Sequence, residues 1–119
     1  MWCKVAGGER NMYDKSQLMR GTLEGCILKI LLDETTYGYE IVTRLQKYGF
    51  EDIKESTIYP LLVRLEKKNI ISSEFRPSPL GPSRKYYSLT EEGQAYFEEF
   101  KTYWMQVSAS VNKLLSLEG

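Results

Sequence analysis

The chain has 119 residues with 42% hydrophobic content, enough for one globular domain with its own core, and its 16 Lys and Arg balance 16 Asp and Glu. It has no His and 2 Cys, which excludes Ser-His and Cys-His nucleophile systems, His-bearing zinc centres and a four-cysteine metal site. A neutral total gives no sign of nucleic-acid binding until the charge is divided along the chain.

Cys3 lies near the terminus and Cys26 inside an apolar run, so no disulfide framework is expected and a reducing, cytoplasmic compartment is. The stretch 26–32 is broken by Lys29 and falls far short of the roughly 18 residues of a membrane span, so no membrane partner is expected. The chain shows no metal-ligand constellation, no glycine-rich phosphate loop and no paired acids in an evident cleft, so neither a cofactor nor catalysis is expected.

Residues 1–15 read as an N-terminal tail. Within it, residues 1–11 show no period and precede a second methionine, Met12. Gly7-Gly8-Glu9 fits the translation of a purine-rich ribosome-binding run, which makes 1–11 a non-native leader; a disordered tail is the alternative.

From Ser16, a plausible N-cap, apolar residues at Met19, Leu23, Cys26, Ile27, Ile30 and Leu31 step by three and four, which predicts a helix ending near Asp33-Glu34. Thr36 can cap a short second helix that buries Ile41, Val42, Leu45 and Tyr48, with Gly49 as its left-handed stop. A third helix is expected from Glu55–Thr57 to Lys68 with Ile58, Leu61, Leu62 and Leu65 on one face. Pro60 belongs in its first turn, and Asn69 takes the left-handed stop.

Ile71, Ser73 and Phe75 alternate on one strand, and Tyr87 and Leu89 on another, with Arg84 and Tyr86 opposite. Between them, three prolines and a glycine in residues 77–83 argue against regular structure, giving a hairpin with a long tip. Thr90 then caps a last helix, predicted over 91–117, with Glu91 and Glu92 in its first turn.

Mainly α with a small β-hairpin is the expected fold class: a winged helix-turn-helix over 16–89 and a long C-terminal dimerisation helix within 90–119. In that architecture the third helix enters the major groove and the hairpin tip lies along the adjacent backbone. By segment, residues 1–53 carry 7 basic and 8 acidic side chains, 54–85 carry 7 and 3, and 86–119 carry 2 and 5. The positive excess falls on the third helix and the wing, where this architecture would meet DNA.

Four stretches in order, Leu18 to Glu24, Tyr37 to Ile41, Ser56 to Glu66 and Arg84 to Gly93, resemble the PadR family of bacterial transcriptional regulators in its short form with one C-terminal helix. The resemblance covers about 16–116 and implies a homodimeric repressor. Such a repressor binds a palindromic double-stranded operator and releases it on binding a small aromatic or hydrophobic effector. Asn69, where the family usually has glycine, and the proline-rich tip depart from its pattern.

The expected DNA-binding residues fall in three groups. Lys54, Ser56, Thr57, Tyr59 and Arg64 lie on or before the third helix, where hydroxyls reach base edges or phosphates. Tyr37, Gly38 and Tyr39 open the second, whose free N–H groups can hold a phosphate. Arg76, Arg84 and Lys85 lie on the wing. For Arg64 a solvated face is an equal alternative, and for Tyr39 a core position.

Phe97, Phe100, Trp104, Val107, Val111 and Leu114 alternate by three and four as a pairing seam, the expected dimer interface, with Phe100 and Trp104 also candidate effector contacts. A sequence-specific regulator is the reading; a winged helix that contacts only proteins is the alternative.

Overall fold

The computed structural model describes residues 12–116. The reading of 1–11 as a leader, Cys3, and the reach of the last helix to residue 117 lie outside the described residues. Eight elements follow in order: α1 Lys15–Met19, α2 Thr22–Asp33, β1 Thr36–Tyr37, α3 Gly38–Lys47, α4 Glu55–Lys67, β2 Ile71–Ser78, β3 Gly81–Leu89 and α5 Glu91–Leu115. This is a mainly helical winged-helix fold with a small sheet and a long C-terminal helix.

The first expected helix is two. Gly21 sits at φ +83, a conformation that a side chain disfavours, and Arg20 is extended, so the backbone turns between α1 and α2. Asp14, not Ser16, caps α1: its carboxylate accepts from the Ser16 N–H at 3.1 Å and from the Ser16 hydroxyl at 2.6 Å. Those bonds hold the Asp14 carboxyl below its ordinary pKa.

Thr36 is likewise no cap. It is buried in β1 and pairs with Tyr87 of β3, while Tyr37 pairs with Tyr86, making a three-stranded antiparallel sheet of order β1-β3-β2. The open edge of β3 draws the chain leaving α2 into two ladder pairs, and Thr35 and Ser88 add a hydroxyl pair at 2.9 Å.

Pro60 lies at the sixth position of α4, beyond the first turn. Because it has no N–H, the Ser56 carbonyl lacks its usual helical donor, and both residues are exposed where water can serve. The tip is also more regular than its prolines suggested. β2 and β3 pair as far as Ser78 and Gly81, closing on Pro79-Leu80, with an irregularity between Arg76 and Ser78 that absorbs Pro77. Tyr48, expected inside, caps α3 and is exposed; Ile53 is buried and Phe50 half-buried against the core instead.

The core joins Leu23, Ile27, Leu28 and Leu31 of α2 to Ile41 and Leu45 of α3, Ile58, Leu62 and Leu65 of α4, and Ile71 and Tyr87 of the sheet. Cys26 is half-buried against it, and burial pushes its thiol pKa up. Asn69 takes φ +64 and Gly49 φ +110, the two expected left-handed stops.

The Thr90 hydroxyl lies 2.9 Å from the Ile70 carbonyl and accepts from the Gly93 N–H at 2.9 Å, which fixes where α5 leaves the sheet. There Gly93 is forced by space, since a β-carbon on it would overlap the Ile70 carbonyl. A β-carbon on Gly25 would instead meet the outer edge of the half-buried Phe100 ring, which lies against α2 and would have to shift. Phe97 is buried in the core beside it. Both were expected on a pairing seam, but the small surface of Gly25 lets α2 take up this part of α5.

Candidate nucleic-acid interface

Strand β1 ends where α3 begins, so Tyr37 belongs to the sheet and also caps the helix; Gly38 and Tyr39 follow in its first turn. Pairing with β3 sets Tyr37 opposite Tyr86, and their rings meet edge to face at 5.3 Å. The Arg84 guanidinium lies over the Tyr37 ring at 4.5 Å, and that of Arg76 over the Tyr86 ring at 4.7 Å. Two cations are thus held on the outer face of the wing by stacking, and Arg76 Nε also donates to Glu74 at 2.8 Å.

On the other face of the hairpin, Lys85 lies 6.0 Å from the Phe75 ring and 5.7 Å from the Tyr87 ring. Its ammonium is 3.6 Å from Glu66 of α4, which also accepts from the Ser73 hydroxyl at 2.6 Å. Glu66 therefore ties α4 to both strands of the wing. Burial, with Tyr59 and Glu66 adding to it, pushes the Tyr87 phenol up to about 12.

A groove between α3, α4 and the wing is lined by Tyr37, Gly38, Tyr39, Tyr59, Arg84 and Lys85, together with Glu55, Phe75 and Ser83. Six of the eleven expected DNA-binding residues meet there. Tyr39 is 63% exposed, which removes its core alternative. Lys54 caps α4 without a side-chain hydrogen bond, and Ser56 and Thr57 follow, all exposed.

Arg64 stands apart. Its guanidinium is bonded from Nε, at 3.0 Å, and from an Nη to Glu24 of α2, while the residue remains exposed. Helical geometry turns Arg64 toward α2, while Ser56, Pro60, Val63 and Lys67 share the outward face. Val63 and Lys67 had not been singled out, although a four-and-three step from Ser56 reaches both. Glu55, Phe75 and Ser83 carry no sequence signal, because the sheet register and the start of α4 bring them in.

The PadR-like transcriptional regulator family matches residues 27–99 of the chain. The chain belongs to the PadR-like family. It is similar to a PadR-like transcriptional regulator from Bacillus cereus at 49% identity, with a TM-score of 0.75 over 83% of this chain and 96% of that one. A PadR family transcriptional regulator from Eggerthella lenta is similar at 36% identity, with a TM-score of 0.76 over 87% and 90%. An uncharacterized protein of Lysinibacillus sphaericus is 36% identical over 108 residues, 88% of this chain and 96% of that one. The groove and the outward face of α4 thus belong to a winged-helix DNA-binding regulator.

Two further surfaces of this PadR-like chain stand outside the groove. From Lys101 of α5 to its cap Ser116 every residue is exposed except Ser108, which is half-buried, so Trp104, Val107, Val111 and Leu114 present an uncovered apolar line. Before that line, Gly21 at the cap of α2, Glu24 and Gly25 of α2, and Tyr96, Glu99, Phe100 and Tyr103 of α5 border a second depression, open to solvent. Phe100 is on its wall and Trp104 is not. No described helix is long and apolar enough to cross a membrane.

Proposed function

We propose that this PadR-like regulator is a homodimeric repressor that binds a palindromic operator and responds to a small aromatic or hydrophobic effector, without catalysis, in the cytoplasm. The convergence of Tyr37, Gly38, Tyr39, Tyr59, Arg84 and Lys85 on one groove beside the exposed face of α4 carries the reading. In it Ser56, Thr57 and Tyr59 meet base edges from the start of α4, with Val63 and Lys67 further along that helix. Lys54, Arg76, Arg84 and Lys85 meet phosphates, and the uncapped first turn of α3 at Gly38 approaches one closely.

Glu55 lies in the same groove and opposes a phosphate there, so Arg84 and Lys85 must outweigh it. The uncovered line Trp104, Val107, Val111 and Leu114 supports pairing with a second copy, and a two-fold pair reads a palindrome. Pairing also doubles a modest basic surface. A mobility-shift and footprinting experiment on the DNA upstream of the gene tests this. A protected palindrome whose affinity falls steeply with salt is expected; no protection, or a flat salt dependence, overturns it.

A further inference from the structure

We propose that Glu55 is a specificity-determining residue of this regulator: its carboxylate accepts a hydrogen bond from the exocyclic amino group of a cytosine in the major groove and rejects the other bases there. The inference rests on the DNA-binding reading above and names the base that one residue of that surface reads.

Of the three acids in residues 54–85, two are engaged. Glu66 holds the Ser73 hydroxyl and the Lys85 ammonium, and Glu74 holds Arg76. Glu55 forms no ion pair and no side-chain hydrogen bond among the described residues, although two cations share its groove. Arg84 is held over the Tyr37 ring and Lys85 beside Glu66, so neither neutralises it.

Glu55 is the first residue of α4, is exposed, and lies one helical turn before Tyr59 on the same side. The start of a recognition helix is the part that reaches base edges. Its Oε2 would stand 3.6 Å from a β-carbon on Gly38, close to the first turn of α3. No N–H of that turn is bonded to a capping side chain, so helix capping does not account for the acid.

A carboxylate can only accept. Guanine presents the acceptors O6 and N7 in the major groove and thymine presents O4 and a methyl group, so either leaves a desolvated charge unanswered. Adenine presents a donor beside the acceptor N7, a pair that an amide matches and a carboxylate does not. Cytosine presents the N4 donor with no acceptor on its own edge. On any other sequence Glu55 only repels, and it thereby widens the gap between operator and bulk DNA.

The full native chain, Glu55→Gln and Glu55→Ala are each used to select duplexes from a randomised pool. One position in each half-site is expected to be cytosine for the native chain, adenine for Glu55→Gln and without preference for Glu55→Ala. All other positions are expected to agree among the three, which also shows that the variants fold. Affinities are then measured on the native consensus and on the same duplex with thymine in place of that cytosine in both half-sites. The native chain is expected to lose at least about tenfold and Glu55→Ala less than about twofold.

A motif unchanged in both variants overturns the role of Glu55 and leaves the regulator reading standing. So does a variant that loses affinity alike on both duplexes, since a purely structural residue behaves that way. A position that responds to Glu55 but is guanine, thymine or adenine for the native chain overturns the assignment to cytosine. A native chain that selects no motif overturns the sequence-specific reading, and this inference with it.

Discussion

The Arg84 guanidinium lies 4.5 Å over the ring of Tyr37, joining the returning strand of the wing to the residue that opens α3. The stack fixes a cation that would otherwise sample many rotamers and connects the wing with α3. Arg84→Ala is expected to reduce the slope of log affinity against log salt by about 2 for the bound dimer, the loss of one phosphate contact per protomer. Tyr37→Leu keeps the charge and is expected to weaken binding with the slope intact. An unchanged slope in Arg84→Ala would show that its guanidinium meets no phosphate.

Gly38 separates folding from binding. Its φ is not in the left-handed region, and a β-carbon there would stand 3.6 Å from the nearest Glu55 oxygen, ordinary contact. Gly38→Ala should therefore leave stability within about 0.5 kcal/mol in urea unfolding. If the first turn of α3 approaches a phosphate closely, the same substitution lowers operator affinity several-fold. Equal affinity would remove Gly38 from the interface.

Gly93 is the opposite case. A β-carbon on it runs into the Ile70 carbonyl, main chain that cannot turn aside, and into Leu89. Gly93→Ala is expected to cost about 2–3 kcal/mol, read as a lowered urea midpoint with an unchanged slope. A native midpoint would show that the junction of wing and α5 can shift.

Trp104→Glu combined with Val111→Glu places two charges on the uncovered line of α5 and touches none of the described core. Sedimentation is expected to show dimers converted to monomers, with operator affinity lower by at least about tenfold as two half-site contacts become one. A dimer that survives both charges locates the interface elsewhere.

Tyr87 gives the fold an alkaline limit. Its phenol titrates at about 12 against 10 ordinarily, chiefly because it is buried, so folding favours the neutral form. The stabilisation is complete below pH about 10 and disappears as pH rises to about 12. Tyr87→Phe cannot ionise, and its unfolding free energy should fall less than the native chain's between pH 9 and about 11. Parallel declines would place the alkaline sensitivity in other groups.

What the sequence made legible was set by local chemistry. Asn69 and Gly49 were expected to stop helices, and Thr90 to start one, because a left-handed stop and a hydroxyl cap depend on one residue and its neighbours. Misreadings occurred where a distant partner intervenes. Thr36 looked like a cap, but the edge of β3, fifty residues on, takes it into a strand. Phe97 kept the seam's period but is buried in the core, and Phe100 lies half-buried against Gly25 of α2. Arg64 is exposed, but its pairing with Glu24, forty residues earlier, leaves no local signal. In the candidate groove, the members contributed by known motifs were legible, whereas Glu55, Phe75 and Ser83 required the register.

The strand order leaves β2 with a neighbour on one side, and its outer rim exposes Glu74, Phe75, Arg76 and Pro77 to solvent. A bare rim of this length beside an exposed phenylalanine is a template for another chain to add to. Pro77 supplies no donor, the irregularity beside it breaks the repeat, and Glu74 and Arg76 pair at 2.8 Å across that rim. The wing can thus remain exposed without seeding sheet-to-sheet aggregation, a protection that comes from its proline-rich tip.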